Sequence, residues 1–70
     1  MTSMNRITRD PAVMGGKACI RGLRVTVAAI VGQMGVGDAI EQILADYPYL
    51  EREDVRQALQ YAAARAADSE

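Results

Sequence analysis

Residues 26–48 read TVAAIVGQMGVGDAIEQILADYP, and the spacing of their apolar residues decides the fold. Thr26 offers a hydroxyl that caps a helix N-terminus. After it Val27, Ile30, Val31 and Met34 recur at i, i+3, i+4 and i+7, the stripe of an amphipathic helix. Gly35 stands where a C-terminal cap takes a left-handed backbone. Gly37-Asp38 then opens a second helix with Asp38 favourable in its first turn, and Ile40, Ile43 and Leu44 form its buried face. Pro48 disfavours a helical conformation at Tyr47, so this helix stops there.

Toward the C-terminus, a third helix is expected from about Arg52 to about Ala66, with Glu51, Glu53 and Asp54 at the positive end of its dipole. Val55, Ala58, Leu59, Ala62, Ala63 and Ala66 fall on one face, and Arg52, Arg56, Gln57 and Gln60 on the other. Three short helices, the last two joined through Tyr47 to Leu50, outline a trihelical helix-turn-helix domain.

Toward the N-terminus the pattern changes. From Arg6 to Val27, extended pieces alternate with turn signals at Asp10-Pro11, Gly15-Gly16 and Gly22. Ile7, Val13, Ile20 and Val25 suit short strands, with Ala18-Cys19-Ile20 as the central piece. The chain therefore divides into a loose segment 1–5, one domain over 6–66 (an extended, hairpin-like arm 6–26 and three helices 27–66) and a tail 67–70.

Charge follows the same division. Up to Thr26, Arg6, Arg9, Lys17, Arg21 and Arg24 stand against Asp10 alone, a net +4, whereas the remainder carries three arginines against eight acids, a net −5. Lys17, Arg21 and Arg24 suit phosphate contacts or an acidic partner. A helix-turn-helix reads DNA through the start of its third helix, which here leaves Arg52, Arg56, Gln57 and Gln60 to reach DNA beside three acids that phosphates repel. Weak binding by one domain is the consequence, strengthened by a dimer or a basic partner.

The residue inventory argues against an enzyme. There is no histidine to act as base for the single cysteine, Cys19, and one thiol without imidazole builds no zinc site. Cys19 reads as a small core hydrophobe. Gly15-Gly16-Lys17 lacks the earlier glycine and following Ser or Thr of a phosphate loop and reads as a turn. Asp46, Glu51, Glu53 and Asp54 could pair as an acid/base site, but the last three fit helix N-terminal charge. No catalytic residue, metal or cofactor is expected. With no Trp or Phe and only three Tyr among 70 residues, the core is thin, and oligomerisation is the expected support. Strand exchange through the arm would bury Ile7, Val13 and Ile20 in a homodimer. No signal-peptide pattern or membrane-length apolar run is present, so a reducing cytoplasm is the expected address.

The residues in order also resemble a known family. Ile7-Thr8-Arg9-Asp10-Pro11, Gly16-Lys17, Cys19-Ile20-Arg21-Gly22, Arg24-Val25-Thr26-Val27, Gly35, Ile43-Leu44-Ala45-Asp46-Tyr47-Pro48, Glu53-Asp54-Val55 and Ala58-Leu59-Gln60-Tyr61-Ala62 are together similar to the bacterial and archaeal domain of unknown function 433. The resemblance implies a mostly α, homeodomain-like or winged-helix-like fold with a short β-element ahead of the helices. It also implies a VapB-like antitoxin role beside a PIN-like nuclease toxin. Gly16, Lys17, Arg21, Gly22 and Arg24 are the positions it marks for DNA or partner binding. The chain departs from the family pattern at Ala18, Leu23 and Glu51, where Pro, Thr and a Ser or Thr cap are usual. The resulting expectation is an antitoxin that neutralises a PIN-like toxin and binds operator DNA. The alternative is a small dimeric protein-interaction adaptor that binds no DNA. Reversing both Arg21 and Arg24 to glutamate is expected to abolish binding while leaving helix content unchanged.

Overall fold

The computed structural model describes residues 5–68, so the expected loose segment 1–5 and tail 67–70 lie outside it apart from residues 5, 67 and 68. Two short strands, β1 (Ile7–Thr8) and β2 (Cys19–Ile20), precede three helices: α1 (Val27–Gly35), α2 (Ile40–Asp46) and α3 (Arg52–Asp68). This is the mostly α architecture with an N-terminal β-element that the sequence implies.

The strands pair antiparallel, Ile7 opposite Ile20 and Thr8 opposite Cys19. Between them the Asp10 carboxylate accepts from the Ala12 amide at 2.9 Å, and a 3-10 turn follows over Met14–Gly16. Val13 and Val25, both suited to strands by residue type, lie outside the sheet: Val13 caps the 3-10 turn, and Val25 bonds Ile20 across a tight loop. That loop turns at Arg21 (φ 49°) and Gly22 (φ 73°), closed by the Leu23 amide donating to the Ile20 carbonyl at 2.8 Å. Two consecutive left-handed residues define a type I′ turn, whose twist matches the flanking strands. Glycine adopts this conformation readily, but Arg21 requires external support.

Thr26 caps α1 as expected, its hydroxyl accepting from the Ala29 amide at 3.0 Å. The far end differs from the expectation. Gly35 is the last helical residue, and the left-handed position is Gly37 (φ 101°). The Asp38 amide donates to Gln33 O at 3.0 Å and the Gly37 amide to Met34 O at 3.1 Å, the paired bonds of a Schellman cap. Because Asp38 is used to finish α1, it does not open α2. That helix begins at Ile40 behind Ala39, with no side-chain cap and with Glu41 as its first-turn acid. Pro48 ends it as expected, Tyr47 leaving the helical region at ψ 76°.

The core gathers Ile20, Val25, Val27, Ile30, Ile43, Leu50, Val55 and Ala58 from the arm and all three helices, and α1 packs chiefly on α3. Cys19 is buried within β2 as a small hydrophobe. Ile20 is fully buried and Ile7 packs on the same cluster within one chain. Of the three residues that strand exchange was expected to bury, Ile20 is buried within the single chain, whereas Ile7 and Val13 are half-buried. Among the described residues no helix is long and apolar enough to cross a membrane.

Candidate partner-binding groove

Asp54 fixes the arm to the helices. It lies in the first turn of α3 with its side chain fully buried. Arg21 approaches it with two donors, Nε to Oδ1 at 3.1 Å and Nη2 to Oδ2 at 3.0 Å, and Arg6 adds Nη1 to Oδ1 at 3.0 Å. The Glu51 amide donates to Oδ2 at 2.8 Å, so Asp54 also supplies the N3 half of a capping box. Burial alone would raise the Asp54 pKa, but the bonds from Arg21, the Glu51 amide and Arg6 outweigh it and hold the carboxyl below its ordinary value. Arg21 also donates to the Tyr49 carbonyl at 2.8 Å. These bonds support its left-handed backbone, an arrangement in which local strain persists because its surroundings determine it.

The faces assigned to α3 by periodicity need correction at both ends: Ala63 and Ala66, grouped with Val55 and Ala58, are exposed, and Gln57 leaves the polar face. Gln57 is not on the solvent side; it is 3 % exposed. Its Oε1 accepts the Arg6 amide at 3.0 Å, and its Nε2 donates to Glu53 at 2.9 Å. Arg52, Arg56 and Gln60 are exposed, but Arg52 pairs with Glu41, and Arg56 pairs with Glu53 while donating to Gln60 at 3.1 Å. The bonds from Arg56 and Gln57 pull the Glu53 carboxyl down to about 2. The four residues expected to face DNA are thus bonded to their own helix, to the arm or to α2, and of them only Gln57 is buried.

The arm residues separate into two groups. Gly22 belongs to the type I′ turn, donating its amide to the Thr8 hydroxyl at 2.8 Å, and Arg21 belongs to the Asp54 cluster. Gly16 closes the 3-10 turn, its carbonyl accepting from Arg9 Nε at 3.2 Å. Lys17, Arg24 and Arg9 are exposed, and none forms an ion pair among the described residues.

Lys17 and Arg9 border an open groove of about 540 Å³ between the arm, the N-terminal part of α1 and the C-terminal part of α3. Ala28, Val31 and Gly32 form the α1 wall, and Tyr61, Ala62 and Arg65 the α3 wall. The lining is largely apolar. Val31, expected on the buried stripe of α1, is half-buried because the core takes Val27 and Ile30 while Val31 turns toward the groove. Arg65 sits with its guanidinium 5.9 Å from the Tyr61 ring centroid. Of this set, sequence reasoning singled out Lys17 but not Arg9. Arg9 carried a weak signal as one of five cations in a short basic segment, but only the 3-10 turn brings it beside Lys17.

Comparison with known proteins agrees with this fold. The profile of the family DUF433, described as protein of unknown function, matches residues 7–62. The uncharacterized protein y4eO of Sinorhizobium fredii (strain NBRC 101917 / NGR234) is 34% identical over 58 residues, 83% of this chain and 26% of that protein. The crystal structure of a DUF433 member protein from Anabaena variabilis ATCC 29413 superposes with a TM-score of 0.85 at 34% identity, over 91% of this chain and 63% of that one. The chain thus spans about a quarter of the Sinorhizobium protein and under two thirds of the Anabaena chain. Sequence profile and three-dimensional similarity cover the same arm and helices, and the chain belongs to the DUF433 family.

Proposed function

We propose that this chain is a non-enzymatic, cytoplasmic binding domain acting as the antitoxin of a toxin–antitoxin pair, holding a PIN-like nuclease toxin and contacting operator DNA in the complex. The observation that carries the reading is the division of the arm: Arg6 and Arg21 clamp it to Asp54, while Lys17, Arg9 and Arg24 project from that anchored segment. Anchored cations form a surface that meets a partner with little further ordering cost. The absence of histidine from the chain supports binding over catalysis.

A second reading, a small dimeric adaptor that binds no DNA, has its own support. Arg52, Arg56 and Gln57, the residues best placed by spacing to read DNA, are bonded internally. Operator contact therefore falls to the arm cations or to the partner.

Co-purification of the tagged chain with the products of neighbouring genes, followed by a salt-dependent shift assay on the upstream DNA, tests both. The antitoxin reading expects a nuclease-like partner and DNA binding that is stronger in the complex and weakens steeply with salt. A partner without DNA binding at any ionic strength favours the adaptor, and no partner at all overturns the proposal.

A further inference from the structure

We infer that the groove between the arm, α1 and α3 docks a short acidic segment of a partner protein, with at least one of its apolar side chains inserted between α1 and α3. This rests on the reading of the chain as a partner-binding domain and adds what the partner presents.

Charge selects the partner. Among the described residues, every charged residue bordering the groove is a cation, Arg9 and Lys17 on the arm side and Arg65 on the α3 side. The chain as a whole has a net charge of −1, so the groove reverses the overall sign. A rim of one sign over low-dielectric walls attracts carboxylates and rejects a basic segment.

The floor selects an apolar anchor. Ala28, Val31 and Ala62 offer no polar group to satisfy, and Gly32 leaves the space above α1 open, since a Cβ built there meets nothing within 4 Å. Glycine inside a helix lowers its stability relative to alanine. Here it keeps the groove deep enough for an incoming side chain.

A compact small-molecule site holds several converging polar groups. The Thr26 hydroxyl at this groove already accepts from the Ala29 amide, and the cationic groups sit at the ends of long side chains on the rim. An apolar floor offers nothing to a sugar-phosphate backbone, whose contacts are hydrogen bonds and charges. A protein segment with carboxylates flanking an apolar residue satisfies both the floor and the rim.

The test is an NMR titration of the full ¹⁵N-labelled chain with two synthetic peptides sharing one leucine pattern, one carrying glutamates and the other lysines. ATP and a DNA duplex serve as further probes. The glutamate peptide should shift the amides of residues 28–32 and 61–65 saturably, and the lysine peptide should not. Gly32→Leu, which fills the groove, and Lys17→Glu, which reverses its rim, should each weaken binding at least about tenfold, with circular dichroism showing both variants folded. Absence of glutamate-peptide binding, equal binding of the lysine peptide, undiminished binding by Gly32→Leu, or shifts at these amides with ATP or DNA alone would overturn the inference. A co-purifying partner retained by both variants leaves the partner-binding reading standing and removes the groove from it. Peptide binding at the groove without any co-purifying partner does the reverse.

Discussion

Arg21 and Asp54, 33 residues apart in the chain, meet through two parallel hydrogen bonds, Nε to Oδ1 at 3.1 Å and Nη2 to Oδ2 at 3.0 Å. A planar guanidinium matches a carboxylate in this forked geometry, and the match joins the type I′ turn of the arm to the first turn of α3. Arg6, the Glu51 amide and the Tyr49 carbonyl complete the cluster.

Removing the buried carboxylate leaves two arginines without their shared acceptor and the Glu51 amide without its cap. Asp54→Ala is expected to destabilise the fold by about 3 kcal/mol, a large part of the stability available to a domain of this size. Urea denaturation followed by circular dichroism measures it. A loss below about 0.5 kcal/mol, the range of ordinary surface changes, would show that the cluster does not hold the arm.

Acid should act on the same region. Glu53 falls from 4.5 to about 2 and Asp54 lies below its ordinary 3.8, both depressed in the folded chain. A depressed carboxylate contributes stability above its unfolded pKa and loses it as pH falls through the folded one. Stability should therefore be insensitive to these groups above about pH 4.5 and decline between about 4.5 and 2. Thermal melts across that range, compared with Asp54→Asn, measure the decline; an equally steep acid loss in the variant would place its source elsewhere.

Charge reversals in the arm should not be equivalent. Arg21→Glu sets a second carboxylate against buried Asp54 and should cost about 3 kcal/mol, so the combined Arg21 and Arg24 reversal perturbs the fold as well as any binding surface. Lys17→Glu and Arg24→Glu should each stay within about 0.5 kcal/mol of the parent. Chemical denaturation of the three single variants distinguishes them, and equal stability for all three would contradict the assignment of Arg21 to the clamp.

Two glycines should respond with opposite signs. Gly32→Ala lies within α1 with open space at its Cβ position and should stabilise by about 0.5–1 kcal/mol. Gly37→Ala also meets no atom within 4 Å, but its φ of 101° strains any L side chain, and a loss of about 1 kcal/mol is expected. Paired thermal melts check both; a stabilising Gly37→Ala would mean that the α1–α2 turn relaxes to another conformation.

Thr26→Ala deletes the acceptor of the Ala29 amide and should cost about 1 kcal/mol. Thr26→Ser retains it and should recover most of the loss in the same urea titration. Equal loss in both would assign the effect to the methyl group instead.

Local chemistry alone determined the three helices, the Thr26 cap, the stop at Tyr47-Pro48 and the glycine turn after Met14, because periodicity, hydroxyl caps and proline sterics act over a few residues. Within the same stretch it placed the left-handed cap of α1 at Gly35 rather than Gly37: both glycines tolerate a left-handed backbone, and the choice depended on which amides could reach Met34 and Gln33. Lys17 was legible as an exposed cation from its place in a basic segment. The allocation of the remaining cations was not. Arg21 and Arg24 are the same residue type three positions apart, yet one reaches Asp54 and the other forms no ion pair among the described residues. Only the packing of the arm on α3 decides that, because an ion pair across 33 residues requires the left-handed turn and the buried carboxylate to be in place together. The groove was hidden from sequence for the same reason: its walls come from three elements, and no single periodicity records the space between them.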